Sequence, residues 1–332
     1  MRDLTVVLLP GDGVGPEVAA EARLVLELVA PDVVLDERPI GAAAIRATGD
    51  PLPEATLEAC LGADAVLKGP VGDPEFDAAE VRPEQGLLRL RAALDAYANL
   101  RPAVSDHVDV LIVRELVGGL YFGASGVRDD GTVFDTCEYH PDQVARVVRR
   151  ALALARGRDG ALTSIDKANV LETSRMWRRV VNEIAPEFPD VRVEHMLVDN
   201  AAMQLATTPQ QFDVIVTENM FGDILSDLAA AVTGGLGLAP SASLSDSGPG
   251  IFEPVHGSAP DIAGRGLANP TAMLRSTALL LEHGLGRPEE AETLVRAVEH
   301  ALASSPTADL GGRASTAEFG AAVREQLALT AA

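Results

Sequence analysis

Near its amino terminus the chain reads Leu4-Thr-Val-Val-Leu-Leu-Pro-Gly-Asp-Gly-Val-Gly-Pro-Glu17, a short apolar run that leads directly into a glycine-rich turn. Residues 17–29 then mix apolar and charged residues in a pattern typical of a helix. The same alternation continues along the chain, which predicts an α/β fold with a largely parallel sheet. Further strands are predicted in the apolar runs 63–67, 108–113, 161–165, 191–197 and 214–217. Helices are predicted at 86–97, 141–156, 171–185, 222–233, 271–285 and 288–304, and long functional loops at 234–250 and 254–270.

The composition indicates a globular, acidic protein of 332 residues, a length that suits about two domains. A net charge of −22 gives no broad attraction for nucleic acid or anionic lipid. The two cysteines, Cys60 and Cys137, lie far apart without a CxxC motif, which excludes a disulfide scaffold and a zinc cluster. No apolar stretch approaches the ~20 residues of a membrane helix. The run 4–10 is also short for a signal-peptide core, so we expect a cytoplasmic protein without nucleic-acid or membrane partners.

The glycine turn at 11–15 has the right context for phosphate binding, since it follows a strand and precedes a helix. Its spacing is GxGxG followed by Pro16, however, whereas the dinucleotide fingerprint is GxGxxG. Two interpretations stay open. The segment is either a tight strand-to-helix turn or part of a cofactor site that differs from the usual Rossmann arrangement.

An aspartate pair lies in the segment 221–232, which is otherwise mostly apolar. Asp223 and Asp227 are four residues apart, so a helix places both carboxylates on one face, where they repel each other. A hard divalent cation such as Mg²⁺ or Mn²⁺ would relieve that repulsion, and Asp199 is a candidate third ligand. Alternatively, Asp223 interacts with the helix dipole and Asp227 faces water. A phosphoryl-transfer enzyme would also use such a pair, but the chain lacks a phosphate-binding loop.

Three arginines and two proton-transfer candidates complete the set of chemistry-bearing residues. Guanidinium groups bind carboxylates in a fork geometry, so Arg91, Arg101 and Arg114 would suit a small dicarboxylic acid. Each of them would also serve in an ordinary ion pair. Lys167 is a candidate base and Tyr121 a candidate proton donor, although compositional bias and packing are alternative explanations.

Six segments, taken together, closely resemble the β-decarboxylating dehydrogenases, the isocitrate/isopropylmalate dehydrogenase family. These segments are residues 11–17, 97–102, 114–123, 166–172, 219–227 and 253–264. The resemblance implies a two-domain α/β fold with parallel or mixed sheets flanked by helices, distinct from the usual Rossmann fold. A cofactor-side domain would comprise 1–97 and 235–332, and a central substrate, metal and dimerisation domain would comprise 98–234. It also implies a homodimer whose active site is shared between subunits.

The resemblance further implies roles for individual residues. Tyr121, Lys167 and Asp199 would be catalytic. Asp223 and Asp227 would hold Mg²⁺ or Mn²⁺ together with Asp199 of the second subunit. Substrate would contact Leu87, Leu88, Arg91, Arg101, Arg114, Tyr121, Lys167 and Asp223. NAD would contact Glu84, Asn169, His256, Gly257, Ser258, Ala259, Pro260, Asp261, Ile262 and Asn269.

Two local features refine the expected activity. Asp261, with no Lys or Arg in 256–264, favours NAD over NADP, because a carboxylate repels a 2′-phosphate. Leu87 and Leu88 would form an apolar pocket for an isopropyl group, with Arg89 turned away. We therefore expect NAD-dependent oxidative decarboxylation of 3-isopropylmalate, a step of leucine biosynthesis. The alternatives are a D-malate or tartrate dehydrogenase of the same family and a non-catalytic protein that binds small acids.

Overall fold

The computed structural model describes residues 4–330. The chain divides into two compact units. The central unit is Ala96–Gly235, and the terminal unit is built from both chain ends, up to Asp95 and from Leu236 onward. Across residues 4–330, no helix is both long enough and apolar enough to cross a membrane.

Strands and helices alternate through both units. The strands are β1 (Leu4–Leu9), β2 (Val33–Glu37), β3 (Ala65–Lys68), β4 (Ala98–Ser105), β5 (Val108–Glu115), β6 (Ser125–Val127), β7 (Val133–Asp135), β8 (Ala161–Asp166), β9 (Arg192–Leu197), β10 (Val214–Thr217), β11 (Pro240–Leu244) and β12 (Gly250–Pro254). The helices are α1 (Gly15–Val29), α2 (Gly41–Thr48), α3 (Glu54–Gly62), α4 (Pro83–Ala93), α5 (Pro141–Arg156), α6 (Glu172–Ile184), α7 (Val198–Thr207), α8 (Asn219–Val232), α9 (Thr271–Leu279), α10 (Pro288–Ser304) and α11 (Thr316–Thr330). A π-helical turn, Leu280–Gly284, continues α9.

In the terminal unit the strands lie in the order β2-β1-β3-β12-β11. All neighbours are parallel except β11 and β12, which are antiparallel. Strand β1 is an interior strand with a parallel neighbour on each side, and its residues Val6–Leu9 are fully buried. A buried parallel strand of this kind reads as a continuous apolar run, which is why the segment is recognisable from sequence.

In the central unit the order is β4-β5-β10-β8-β9, with β4 antiparallel to β5 and the other pairs parallel. Strands β6 and β7 form a separate antiparallel pair. The carboxyl ends of β5, β10, β8 and β9 therefore share one edge of the sheet, the edge where open α/β sheets bind their ligands.

The predicted α/β class with a mixed, mostly parallel sheet is confirmed, and two of the segments that differ from the prediction have a clear physical reason. The helix predicted at 86–97 ends at Ala93, because Asp95 adopts a left-handed conformation (φ 46°) that breaks the helix before β4 begins. The loop predicted at 234–250 contains β11, Pro240–Leu244, all five residues of which are buried. Its small polar side chains resemble those of a loop, so the strand carries little local signal.

Candidate active site

The sheet edge of the central unit gathers most of the polar residues that the sequence singles out. Arg114 lies near the end of β5, Lys167 directly follows β8, and Asp199 follows β9 in the first turn of α7. Helix α8, which carries Asp223 and Asp227, begins two residues after β10. Parallel topology thus brings residues from distant segments to a common edge.

Helix α8 is oriented by its cap and its apolar face. The carboxylate of Glu218 accepts hydrogen bonds from the backbone N–H groups of Met220 (3.3 Å) and Phe221 (2.9 Å), which satisfies two donors at the helix start. On the buried face, Leu225 and Ala229 belong to a core cluster with β5 and β10 residues. The two aspartates are partly exposed, with side-chain exposures of 35% for Asp223 and 51% for Asp227.

Five of the predicted site residues form one cluster, which we call the acid–arginine cluster: Arg101, Arg114, Tyr121, Asp223 and Asp227. Arg114 Nη1 pairs with Asp223 Oδ1. Arg101 Nη1 lies 3.3 Å from Oδ1 of Asp223 and 3.3 Å from Oδ1 of Asp227. Tyr121 Oη donates to Asp223 Oδ2 at 2.8 Å. The aspartates of α8 are therefore neutralised by two guanidinium groups in the isolated chain.

Arg114 is held by a residue that the sequence analysis did not select. The side-chain oxygen of Asn219 accepts hydrogen bonds from Arg114 Nε (3.0 Å) and Nη2 (2.7 Å). The Asn219 amide in turn donates to the backbone oxygen of Gly118 at 3.0 Å. A Cβ on Gly222 would lie 2.6 Å from Arg114 Cγ, so only glycine admits the arginine stem there. Both residues stand inside the quoted motif 219–227, but no spacing rule distinguishes them.

Arg101 and Asp227 lie in different local environments. Arg101 Nε donates to Asn99 Oδ1 (2.8 Å), and Nη1 donates to Ser226 Oγ (2.8 Å). Burial raises the pKa of Asp227 above its usual range, Arg101 opposes the shift, and repulsion by Asp223 adds to it. A nearby cation would therefore stabilise the ionised form of Asp227.

Tyr121 is placed to hold a proton at neutral pH. Burial raises the pKa of its phenol, and the hydrogen bond to Asp223 adds to the shift. The guanidinium carbon of Arg114 lies 5.4 Å from the Tyr121 ring centroid, which is a cation–π distance. The hydroxyl is therefore a protonated donor beside an arginine and a carboxylate.

Lys167 and Asp199 form a second pair in the central unit. Lys167 Nζ lies 2.6 Å from Asp199 Oδ1, and this hydrogen bond lowers the pKa of Asp199. The backbone N–H of Lys167 donates to Ser174 Oγ at 3.0 Å, which fixes the start of the loop after β8. Within the part of the chain that the structure describes, no three His, Cys, Asp or Glu side chains form a group able to hold a metal ion. One chain thus brings Asp223 and Asp227 together, but not with Asp199.

Two buried carboxyl groups lie next to the acid–arginine cluster in sequence. Glu115 accepts the backbone N–H groups of Val117 (3.0 Å) and Gly118 (3.0 Å), and its burial raises its pKa to about 7. Tyr139 Oη donates to Glu218 Oε2 (3.2 Å) and accepts the N–H of Asn219 (2.9 Å). The sequence analysis missed these groups. The only available signal was an acid at the end of the apolar strand β5.

In the terminal unit, Arg91 is buried on α4 and pairs with a buried glutamate. Arg91 Nη2 lies 2.9 Å from Glu253 Oε1, while Arg91 Nε is buried and has no hydrogen-bond partner among residues 4–330. Leu87 and Leu88 on the same helix are half-buried, so they are not core residues. Arg89 pairs with Asp50 at 2.6 Å, in agreement with the expectation that it turns away.

The segment 256–262, predicted to contact NAD, is irregular in structure. His256 Nδ1 lies 2.9 Å from Gly257 O, and its Nε2 is buried without a partner among the described residues. Burial lowers the pKa of His256, so the ring is neutral and Nε2 is an acceptor when Nδ1 carries the hydrogen. Asp261 is exposed, and Arg265, one residue beyond the segment 256–264 that lacks Lys and Arg, donates to the Asp261 carbonyl at 3.4 Å.

The other residues predicted to contact the cofactor have less distinctive surroundings. The Asn269 side chain accepts the N–H of Thr271 (3.0 Å) and donates to Asp309 Oδ2 (3.0 Å), so both ends of the amide are used. Glu84, on α4 of the terminal unit, and Asn169, after β8 of the central unit, are exposed.

The geometry of the glycine turn favours the strand-to-helix interpretation. The Asp12 carboxylate accepts hydrogen bonds from the N–H groups of Ala42 (3.0 Å) and Gly72 (2.9 Å), so this turn residue stabilises the start of α2. The N–H of Val14 donates to Ser258 O at 2.8 Å. Gly13 has φ +58°, and a Cβ there would lie 1.9 Å from Ser258 O, so only glycine is tolerated.

Comparison with known proteins agrees with this geometry. Residues 5–323 match the family model described as isocitrate/isopropylmalate dehydrogenase. The 3-isopropylmalate dehydrogenase of Zymomonas mobilis is 52% identical, with 96% of this chain and 99% of that protein covered. The 3-isopropylmalate dehydrogenase of Bacillus subtilis is 52% identical, with 90% and 89% covered. The crystal structure of isocitrate dehydrogenase from Methylococcus capsulatus superposes with a TM-score of 0.92 at 38% identity, with 98% and 99% covered. The predicted family is thus confirmed, and the chain belongs to the isocitrate/isopropylmalate dehydrogenases.

Proposed function

We propose that this enzyme is an NAD-dependent 3-isopropylmalate dehydrogenase. It converts (2R,3S)-3-isopropylmalate to 4-methyl-2-oxopentanoate and CO₂ in leucine biosynthesis, in the cytoplasm. One observation carries the choice of substrate: relatives of that name are 52% identical over nearly the whole chain, whereas the isocitrate dehydrogenase is 38% identical. The competing candidate is a D-malate or tartrate dehydrogenase of the same family. Such an enzyme would not need an apolar pocket for its substrate.

The substrate carboxylates would be bound by Arg91, Arg101 and Arg114. Arg101 and Arg114 converge on Asp223 in the central unit, so two guanidinium groups are already oriented toward one carboxylate. Arg91 supports the proposal through its buried Nε, a donor without a partner among residues 4–330. Charge-assisted bonds of this type give both affinity and orientation to a small dianion.

Recognition of the isopropyl group would fall to Leu87 and Leu88. Both side chains are half-buried and so can still lose exposed surface on substrate binding. Burial of an isopropyl group against them contributes on the order of 2 kcal/mol. Arg89, the cation nearest in sequence, is committed to Asp50 and does not favour an anionic side group. The same surface would disfavour a buried carboxylate.

A divalent cation, Mg²⁺ or Mn²⁺, fits the donor set of α8. Asp223 and Asp227 offer carboxylate oxygens one helical turn apart, and Asp227 is destabilised as an anion by burial and by its neighbour. Because one chain supplies only these two, the third ligand would be Asp199 of a second copy. When bound, the cation would act as a Lewis acid that polarises the substrate hydroxyl and carboxylate oxygens.

Lys167 and Tyr121 would handle the two proton transfers. Lys167 would take the hydroxyl proton at Nζ, and NAD, when bound, would supply the acceptor for the hydride of C2. After loss of CO₂, Tyr121 Oη would return a proton to the enolate carbon. The raised pKa of Tyr121 keeps that proton available at neutral pH. Lys167 and Asp199 are already paired, so a partner subunit would contribute them together.

The cofactor would bind along His256–Ile262, with contributions from Asn269, Glu84 and Asn169. The unpartnered His256 Nε2 is a buried acceptor that suits an amino group such as that of adenine. The Asp261 carboxylate would accept hydrogen bonds from ribose hydroxyls, which favours NAD over NADP.

A homodimer would complete the site. Leu225 on α8 is buried, whereas Ile224 is 58% exposed and Val232 is 38% exposed in the single chain. Met203 on α7 is 55% exposed, and α7 packs on α8. Helix faces of this kind are typical of subunit interfaces, and here they flank the residues that need a second chain.

The test is an absorbance assay of NAD reduction with Mn²⁺ and a panel of acids: isopropylmalate, isocitrate, homoisocitrate, D-malate and tartrate. We expect isopropylmalate to have a kcat/KM at least about tenfold above the others, since the isopropyl contact contributes on the order of 2 kcal/mol. Chelation with EDTA should abolish turnover, and added Mn²⁺ should restore it. Equal turnover of D-malate would refute the assignment to isopropylmalate.

A further inference from the structure

A lysine is buried in the terminal unit in contact with the partner of Arg91. Lys68 is only 1% exposed, and its Nζ donates to Gly69 O at 2.7 Å. The same Nζ lies 2.6 Å from Glu253 Oε2. A fully buried lysine is uncommon and requires a partner, and here the partner is the carboxylate that also holds Arg91.

The shared carboxylate is ionised. Burial alone would raise the pKa of Glu253, but Lys68 and Arg91 outweigh it and lower the pKa to about 2. Two cations therefore share one anion, and the group carries a net positive charge. A buried excess of positive charge favours an anion close by.

Lys68 and Arg91 contact different oxygens of the Glu253 carboxylate, and this determines how Arg91 is bound. A guanidinium and a carboxylate usually pair through two parallel hydrogen bonds. Here Lys68 occupies Glu253 Oε2, so Arg91 contacts only Oε1 and does so through Nη2 alone. Its Nε is left buried without a partner in residues 4–330.

We propose that Lys68 is a positioning residue for Arg91: by occupying one oxygen of Glu253, it keeps the guanidinium end-on and leaves Nε to bind a substrate carboxylate. The inference rests on the proposed function, because it takes Arg91 as a substrate-binding residue. Without Lys68, Glu253 Oε2 would be a buried anionic oxygen lacking a donor. Arg91 would turn its unused Nε toward that oxygen, and the substrate would lose a charge-assisted hydrogen bond.

The first test is Lys68→Met, which keeps the length of the side chain and removes the ammonium. We expect the KM for 3-isopropylmalate to rise about tenfold, the effect of one charge-assisted hydrogen bond, while the KM for NAD changes less than about twofold. In a crystal structure of the variant, Arg91 Nε and Nη2 should both lie within hydrogen-bond distance of Glu253.

A double variant separates positioning from simple packing, because it removes the anionic oxygen that Lys68→Met leaves without a donor. In Lys68→Met/Glu253→Gln, the amide oxygen accepts one Arg91 nitrogen, and the amide NH₂ takes the place of the oxygen that Lys68 occupied, so Arg91 Nε has no second acceptor to turn toward. The KM for 3-isopropylmalate should return to within about threefold of the wild-type value. Loss of packing alone would leave the KM of both variants raised.

The outcomes distinguish this inference from the proposed function. If the wild type oxidises isopropylmalate, but Lys68→Met leaves KM unchanged and Arg91 end-on, the positioning role is wrong and the function stands. If the wild type oxidises no acid of the panel, the proposed function fails. The geometry of Arg91 in the Lys68→Met crystal structure then decides the role of Lys68 by itself. A double variant that folds but keeps a tenfold higher KM would also overturn the inference.

Discussion

Glu115 makes the stability of the central unit depend on pH. Its carboxyl group is buried at the end of β5, and burial raises its pKa from 4.5 to about 7. The folded state therefore retains a proton between pH 4.5 and pH 7, where the unfolded chain has released it. Because the native state binds more protons in that window, its free energy of unfolding falls as the pH rises toward 7. Above the folded pKa the contribution is lost.

The size of the effect follows from the shift. Each pKa unit corresponds to about 1.4 kcal/mol, so the full contribution is roughly 3 kcal/mol at pH below 4.5. Between pH 5.5 and pH 8 the expected loss is about 2 kcal/mol. Glu115→Gln removes the titration but keeps one acceptor for the N–H groups of Val117 and Gly118. Relative to the wild type, the variant should lose a pH-independent amount of unfolding free energy, because one acceptor is removed. It should also lack the pH dependence that Glu115 causes.

Urea unfolding followed by tryptophan fluorescence measures this directly. The single tryptophan, Trp177, is 2% exposed in the central unit and stacks edge-on with Tyr139 at a centroid distance of 6.0 Å. The wild-type free energy of unfolding minus that of Glu115→Gln should decrease by about 2 kcal/mol from pH 5.5 to pH 8 at fixed protein concentration. A difference that stays constant within about 0.5 kcal/mol would refute the reasoning, since other titrating groups cancel in the subtraction.

Three further substitutions test the site. Asp227→Asn should lower Mn²⁺-dependent kcat/KM on the order of 100-fold by removing a ligand, with an unchanged far-UV circular dichroism spectrum; near-normal rates would contradict the ligand assignment. Asp261→Lys should raise the ratio of kcat/KM for NADP to that for NAD, and an unchanged ratio in the same absorbance assay would remove the cofactor argument. Tyr139→Phe removes the hydroxyl that joins Glu218 to the N–H of Asn219. We expect the free energy of unfolding to fall by about 1–2 kcal/mol in a urea titration, and no change would show that the hydroxyl is dispensable.

The elements that the sequence predicted well are those with a clear periodicity of apolar residues or a continuous apolar run. Strand β10 and helices α5 and α10 have the predicted bounds, because each combines a clear pattern with a proline or a loop at its start. Helix α2, Gly41–Thr48, was not predicted. It is short and alanine-rich, and its start is stabilised by Asp12, which lies 30 residues away in sequence. A cap supplied by a distant residue leaves no local signal.

The sequence selects candidate chemistry-bearing residues but does not give their partners. Residue type and resemblance identified Arg101, Arg114 and Asp223, yet neither gives the hydrogen bonds that Asn219 makes to Arg114. Glu253 stood in a quoted motif without a role, and its pairing with Arg91 emerges only when β12 and α4 are folded. Such contacts join positions more than 100 residues apart, and the local patterns of a single sequence do not reveal them.

The acid–arginine cluster explains how a chain of net charge −22 can present the proposed substrate-binding arginines without leaving them exposed. In the single chain two guanidinium groups face two aspartates, so the cluster is neutral by formal charge. A divalent cation bound by the same aspartates would take over their neutralisation and leave Arg101 and Arg114 with an excess of positive charge. A dianionic substrate would restore the balance. Cation and substrate would therefore form one electrostatic unit: if the cation favours substrate binding, linkage requires the substrate to favour cation binding by the same factor.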